Sequence, residues 1–471
     1  MFTENPQVWA ESVFGKADLK DARRTKRLVK LAGDMAAQTG YSVVRASANP
    51  ASIEGAYRFI RNAAITPEAI AEAGFKQTDD LVRQRPLVLA IQDTTGLSYR
   101  HSVCHELGEV SSAKADRKHS RGRTLYAHST LMIDAHSEDV LGLSNQHYFF
   151  REHKNTAKKE PLQNRSIEEK ESYKWQRNSE AIANRMGSLD NILDVCDREA
   201  DIYEYLNYQV NQGHRFLVRA KDNRQLNRPD SKLVDVVDTI APQSYFTIDI
   251  KQKGGRKARQ AKIALSYTQI FINKPKRAKG QQEIAVNMIV CQEVEAEEGQ
   301  EKLCWILYTT EAVNSVAEAR ILVRYYELRW RIEEFHKIWK SDGADVEKLR
   351  MQSRENLKRI AVIQAFIAVR LMQLQALVQN KESAKSIPCT RHFSALSWKV
   401  LWKKTERQKT IPTSVPSLHW AYYAMAKLGG WYDSKRTGRV GVKALWAGWL
   451  TLMNLVESFE TLKELETGDD L

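Results

Sequence analysis

Residues 87–95 read LVLAIQDTT, an almost unbroken apolar run that closes on the carboxylate of Asp93. Strict apolar–polar alternation marks a strand with one wet face. A continuous run marks a strand buried on both faces, at the centre of an α/β sheet. The pattern recurs in LDNILDVCDREADI (189–202), whose apolar stretch ends at Asp197. Between them, LYAHSTLMIDA (125–135) and EDVLGLSNQHYFF (138–150) read as two more strands, a hairpin turning about His136 and Ser137. A polar helix is expected over roughly 166–187, and a short helix plus the strand HRFLVRAK (214–221) closes the unit.

Over 222–312 the alternation breaks. GGRKARQAKIALSYTQIFI (254–272), QEIAVNMIVCQEVEA (282–296) and KLCWILYTTE (302–311) read as antiparallel strands joined by charged loops, an inserted β-subdomain. After it, near Ser315, a helix begins that contains RYYELRWRIEEFHKIWK (324–340). At about 100° per residue, Tyr326, Arg329, Glu333 and Lys340 share about a 60° arc of its surface. The adjacent stripe Leu322, Tyr325, Leu328, Ile332, Phe335, Trp339 is apolar. Such a face is either a solvated run of weak i,i+4 pairs or a carboxylate flanked by cations, able to hold a metal and a phosphate together. If the strands of Asp93 and Asp197 are neighbours, three acids converge. Their mutual repulsion then calls for a cation, met by two Mg²⁺ ions driving in-line attack on a phosphodiester.

The 471 residues suffice for two to four domains, and 42% apolar composition permits real cores. Seventy-two Lys and Arg against 58 Asp and Glu give a net +14, which favours a polyanionic partner. No stretch has the long uncharged run of a membrane span, so nucleic acid is preferred over membrane, and no signal peptide is evident at MFTENPQVWAESVFGK. Cys104, Cys196, Cys291, Cys304 and Cys389 are scattered without a CxxC, and no HExxH occurs. They read as thiols of a reducing cytoplasm, and any metal should be a hard cation on oxygen ligands.

The first 66 residues read as a basic helical domain. Arg23, Lys26, Arg27 and Lys30 lie on one face of a helix that Gly40 stops, and EGAYRFIRN (54–62) forms another. That basic face either meets phosphates or is simply solvated. Residues 67–376 are expected to form the domain that carries the three acids, with the β-insertion at about 222–312, and 377–471 a helical C-terminal domain entered through a polar, lysine-rich connector (381–416). In its last helix, Val442, Leu445, Trp449, Leu452, Val456 and Phe459 make a stripe that serves either the core or a dimer face.

IQDTTGLSYRH, VCDREADI and the Tyr-x2-Arg-x3-Glu-x6-Lys helix together resemble the DDE transposases of bacterial insertion sequences, in the insertion-sequence-four group. ARRTKRLV, EGAYRFIRN, FLVR, the Trp of KLCWILYTTE and LGGWYDSKRTG follow in family order through nearly the whole chain. The resemblance implies an α/β RNase H-like core, a mixed sheet flanked by helices, with an antiparallel β-insertion, a helical DNA-end-binding domain over 1–66 and a helical dimerisation domain over 377–471. It implies Asp93, Asp197 and Glu333 as catalytic, metal-binding acids for Mg²⁺, with Mn²⁺ as substitute. It makes Tyr326, Arg329, Lys340 and Arg219 phosphate contacts, and Arg23, Arg24 and Arg27 contacts to end DNA. Trp305 would stack on a flipped base, or else is a strand core residue beside Ile306 and Leu307. Trp330 packs either on DNA or in the core, and Glu334 stands one residue outside the motif.

The implied activity is binding of inverted terminal repeats as a synaptic homodimer, nicking, hairpin formation and opening, and joining of 3′ ends to target DNA. It is expected in the bacterial cytoplasm, at the nucleoid when DNA-bound. An RNase H-like nuclease or resolvase, and an inactive DNA-binding inhibitor, are the competing readings. The loop 105–123 and the connector 381–416 depart from the family pattern.

Overall fold

The computed structural model describes residues 5–107, 123–151, 165–227, 231–250, 259–276, 278–295, 302–376, 381–434 and 440–467. Most of the divergent loop 105–123 therefore lies outside the described residues.

The strands are β1 (Val88–Tyr99), β2 (Arg123–Asp134), β3 (Val140–Phe149), β4 (Ile192–Cys196), β5 (Arg215–Arg219), β6 (Ser244–Ile250), β7 (Arg259–Asn273), β8 (Glu283–Glu293) and β9 (Cys304–Thr309). Among the described residues they form one mixed sheet in the order β3-β2-β1-β4-β5-β9-β8-β7-β6. β1, β4 and β5 are mutually parallel, and the remaining pairs are antiparallel. The expected hairpin is present, and Asp134 Oδ1 closes its turn by accepting from the backbone N–H of His136 (2.8 Å) and Ser137 (3.0 Å).

Three details differ from the sequence reading. β1 does not stop near Asp93 but continues to Tyr99, because β2 goes on pairing with it after β4 has ended at the Gln92↔Cys196 pair. The strands of 222–312 do not make a sheet of their own. β9 bonds to β5 through Leu217↔Thr309, so they extend the central sheet, joined by β6 and a helix at Leu233–Thr239. The 381–416 connector is partly folded: Ser394 caps the helix Ala395–Thr405, which buries Trp398 and Leu401.

Side chains alternate across the sheet. Leu89, Ile91, Leu193, Val195, Leu217 and Leu307 pack into the core shared with Leu322, Ile332, Phe335 and the helix Arg354–Ala376. Val88, Ala90, Ile192, Cys196, Phe216, Val218 and Tyr308 face the other side, toward the helices Lys174–Met186 and Tyr203–Asn211.

The helix Arg354–Ala376 is buried nearly all round, as expected of a helix apolar on every face. It touches the helices Ala22–Ala37, Pro50–Arg61 and Pro67–Val82, strand β3 and the last helix, Val442–Thr467. Its buried Arg359 donates to the carbonyls of Ile60 (3.0 Å) and Ile65, fastening the N-terminal helices to this spine. In the C-terminal region, Gly429 and Gly448 let two helices cross in backbone contact. A Cβ on either would fall on the Ala444 or Met425 carbonyl oxygen.

Candidate active site

Sheet register lines up the first groups. Gln92 pairs with Cys196, and Cys196 with Val218. Asp93, Asp197 and Arg219 are each the next residue along their chains. They therefore stand one step past a common row across three neighbouring strands, close enough that the Asp197 charge acts on Asp93. Parity sends all three to the face of Ile91, Val195 and Leu217, and Trp305 shares that face with Leu307. Thr94 N–H donates to Asp93 Oδ1 (2.8 Å), and Glu199 N–H to Asp197 Oδ1 (2.8 Å). Arg219 is held by its bond to the Cys304 carbonyl (3.2 Å).

The covering helix is not one rod. It runs Val316–Leu328, tightens at Arg329, resumes as Trp330–Lys337 and ends in a wider π turn, Ile338–Asp342. Ser315 and Glu318 form a capping box that fixes its start. The apolar stripe is buried as expected, except that Tyr325 is only partly covered. Arg329 and Glu333 meet on the sheet-facing side in an ion pair of 2.9 Å. Tyr326 is buried beside them, with the Arg329 guanidinium 5.9 Å over its ring and Trp305 edge-on at 5.6 Å. Arg219 also reaches the Tyr326 hydroxyl.

The π turn breaks the ideal 100° progression, and Lys340 leaves the Arg329–Glu333 group. Its Nζ instead donates to the Gly96 carbonyl on β1 (2.7 Å) and lies 3.7 Å from Glu347, which accepts from Ser98 N–H.

The acids sense one another. Burial, followed by the charges of Asp197 and Glu333, pushes the Asp93 carboxyl up to about 7, against the opposing pull of Thr94 N–H and Arg329. Burial also raises Asp197. Among the described residues no three acid, imidazole or thiol groups already stand at metal-ligand spacing, and Glu333 is engaged with Arg329. The donor chemistry nevertheless fits a hard divalent cation: carboxylates on one face, two of them raised, which a cation at their centre would relieve.

Two residues, one on this helix and one in the short turn Val346–Lys348 after it, escaped the sequence reading. His336 is buried with Nδ1 3.8 Å from Asp93 Oδ2, and Glu347 bridges Lys340 to β1. The only signal for His336 was its place between Ile332, Phe335 and Trp339 in the apolar stripe. Trp330 points away from the acids and is 48% exposed. It lines a cleft of about 1190 Å³ shared with Arg331, Glu334, Trp420, Tyr423 and Trp431.

The three N-terminal arginines stand apart from this group. Arg23 is exposed and paired with Asp21 (2.9 Å), Arg24 donates to the Leu19 carbonyl, and Arg27 packs against Gly55 between two helices.

Residues 6–65 match the family model described as Transposase DNA-binding, and residues 180–370 match that described as Transposase DDE domain. The second match takes in Asp197, the extended sheet and the whole Tyr326–Lys340 segment, while Asp93 lies ahead of it. A DNA-binding match followed by a DDE-domain match, the second over residues that carry part of this sheet face, supports a DDE transposase.

Proposed function

We propose that this chain is a metal-dependent DNA transposase of the insertion-sequence-four type. In this reading it binds the inverted repeats at an element's ends as a homodimer, cuts them, and joins the 3′ ends to target DNA. The single observation that carries the reading is the row of Asp93 and Asp197 on one sheet face, beneath a helix that brings Glu333 and Arg329 to the same spot.

Asp93, Asp197 and Glu333 would hold two Mg²⁺ ions, with Mn²⁺ as substitute. When bound, such a pair supplies Lewis-acid charge to the attacking and leaving oxygens of a phosphodiester. The protein's own groups do the rest. Arg329 exchanges its Glu333 partner for a phosphate oxygen, which frees the carboxylate at the moment the backbone arrives. Arg219 and the Tyr326 hydroxyl orient that phosphate from the β5–β9 side, and Lys340 approaches from β1.

In the first cut, water attacks phosphorus and the bond to the 3′ oxygen breaks. The released 3′-hydroxyl then attacks the opposite strand to close a hairpin, water reopens it, and the 3′-hydroxyl finally attacks target DNA. Each step exchanges one P–O bond for another in line, so one set of acids serves all of them. Trp305, half-buried beside Tyr326, would stack on the base displaced in the hairpin.

Several features support the partners. The 6–65 match and the basic helix Ala22–Ala37 fit end-DNA binding. In the last helix Leu445, Trp449 and Leu452 are core, whereas Phe459, Leu462 and Leu465 are 49%, 59% and 64% exposed, an apolar strip available to a second copy. No described helix is long and apolar enough to cross a membrane, in keeping with a nucleoid partner in the bacterial cytoplasm.

The test uses DNA carrying the inverted repeats that flank the gene. Wild type should nick it with Mg²⁺ and yield hairpin-ended product, while Asp93→Asn, Asp197→Asn and Glu333→Gln bind the DNA but do not cut. Cleavage by any of the three would remove that acid from the site, and nicking without hairpins would favour a nuclease or resolvase.

A further inference from the structure

Asp93 is gripped at one oxygen only. Its Oδ1 accepts from Thr94 N–H at 2.8 Å, while its Oδ2 faces the Nδ1 of His336 at 3.8 Å. The His336 ring is buried and wedged beside Phe335 (centroids 5.4 Å apart), and Phe335 stacks in turn on Trp339. A neutral imidazole carries a single ring N–H.

The position of that hydrogen follows from the surroundings. Nε2 is buried and meets no hydrogen-bond partner. A hydrogen there would be an unsatisfied buried donor, whereas on Nδ1 it points at a carboxylate oxygen. The Nδ1–H tautomer is therefore favoured. At 3.8 Å the contact is too long for a hydrogen bond, and about 1 Å of carboxylate movement would make one.

We propose that His336 is a positioning residue whose Nδ1–H fixes Oδ2 of Asp93 in the orientation that a bound divalent cation requires. The inference rests on the reading of Asp93 as a metal-binding acid. Carboxylates that ligate metals are themselves hydrogen-bonded, and loss of such an outer partner typically weakens metal binding about 10- to 100-fold. With Oδ1 held by the backbone and Oδ2 drawn onto His336 by that movement, the carboxylate plane would be set from both sides, leaving the remaining lone pairs for the cation.

The experiment measures Mn²⁺ binding to the full-length chain by the paramagnetic resonance signal of free Mn²⁺, together with metal-free melting temperatures. His336→Phe retains a buried ring but has no donor. His336→Asn places an amide nitrogen close to the Nδ1 position but leaves a void. The expected result is a loss of Mn²⁺ affinity of about 10- to 100-fold in the Phe variant. The Asn variant should bind nearly as wild type although it melts lower.

A packing role predicts the reverse order. Wild-type Mn²⁺ affinity in His336→Phe, or an equal loss in both variants, would overturn the proposal. Asp93→Asn serves as the reference: if it binds Mn²⁺ as well as wild type, the metal reading of Asp93 itself fails, independently of His336.

Discussion

Replacing Asp93 with asparagine should raise stability while abolishing cleavage. The Asp93 side chain is 20% exposed, and burial, then Asp197 and Glu333, lift its carboxyl from 3.8 to about 7. The native state thus keeps this proton to a higher pH than the unfolded chain does. The native advantage is complete below about pH 4 and is lost as pH rises through 7. Above that, an ionised Asp93 burdens the metal-free fold by up to about 4 kcal/mol. Residual solvent contact reduces the expected figure to about 2–3 kcal/mol.

Asparagine keeps the shape and removes the charge. Without divalent ions, Asp93→Asn should melt several degrees above wild type near pH 8.5, and the gap should shrink as pH falls toward 4. Mg²⁺ should raise the wild-type melting temperature near pH 8.5 and leave the variant's unchanged. Scanning calorimetry across that pH range, with and without Mg²⁺, makes the measurement. A variant no more stable than wild type near pH 8.5, or a gap that does not vary with pH, would refute the argument that the acids are held together against their own repulsion.

Arg359→Met should cost about 3–5 kcal/mol, because the Ile60 and Ile65 carbonyls lose a charged donor in a buried setting. Limited proteolysis should then cut faster near residues 60–66, and an unchanged cleavage rate there would contradict the anchoring role. Trp305→Ala should slow hairpin formation about 10- to 100-fold while sparing the first nick, in line with about 1–3 kcal/mol of base stacking. An equal loss in both steps would reassign Trp305 to packing. His147 is pushed down to about 4 by burial and then by Arg177, which donates to its Nε2 (2.9 Å). The unfolded chain therefore takes up this proton first, and stability present above pH 6.5 is lost as pH falls toward 4. His147→Gln should flatten that part of the melting profile, and an unaltered slope would sink the assignment.

How far the site could be read from sequence depended on whether its cause was local. The apolar run before Asp93 and that before Asp197 needed no partner to be recognised, and both chains are central strands. The Arg329–Glu333 pair followed from i,i+4 spacing alone. The end of β1 was misread because its continuation to Tyr99 depends on β2, a partner no local pattern announces. The π turn at Ile338–Asp342 carries no Pro or Gly to signal it, so the turn of Lys340 toward Gly96 was out of reach. In contrast, β6, with its SYFTIDI alternation, did carry a signal that was overlooked.

Asp93, Asp197 and Arg219 each stand one residue past the same hydrogen-bonded row, which separates two kinds of change that look alike in an alignment. Residues gained or lost in the segments between strands leave the row untouched, so those lengths are free to drift. A single residue gained or lost inside β1, β4 or β5 ahead of the row would turn its polar group to the far side of the sheet. Diverging copies of this chain should therefore vary freely in the spacing between their acids while keeping the length of each short strand, and an inactive copy is recognisable by an odd-numbered slip there even when every acid is still present.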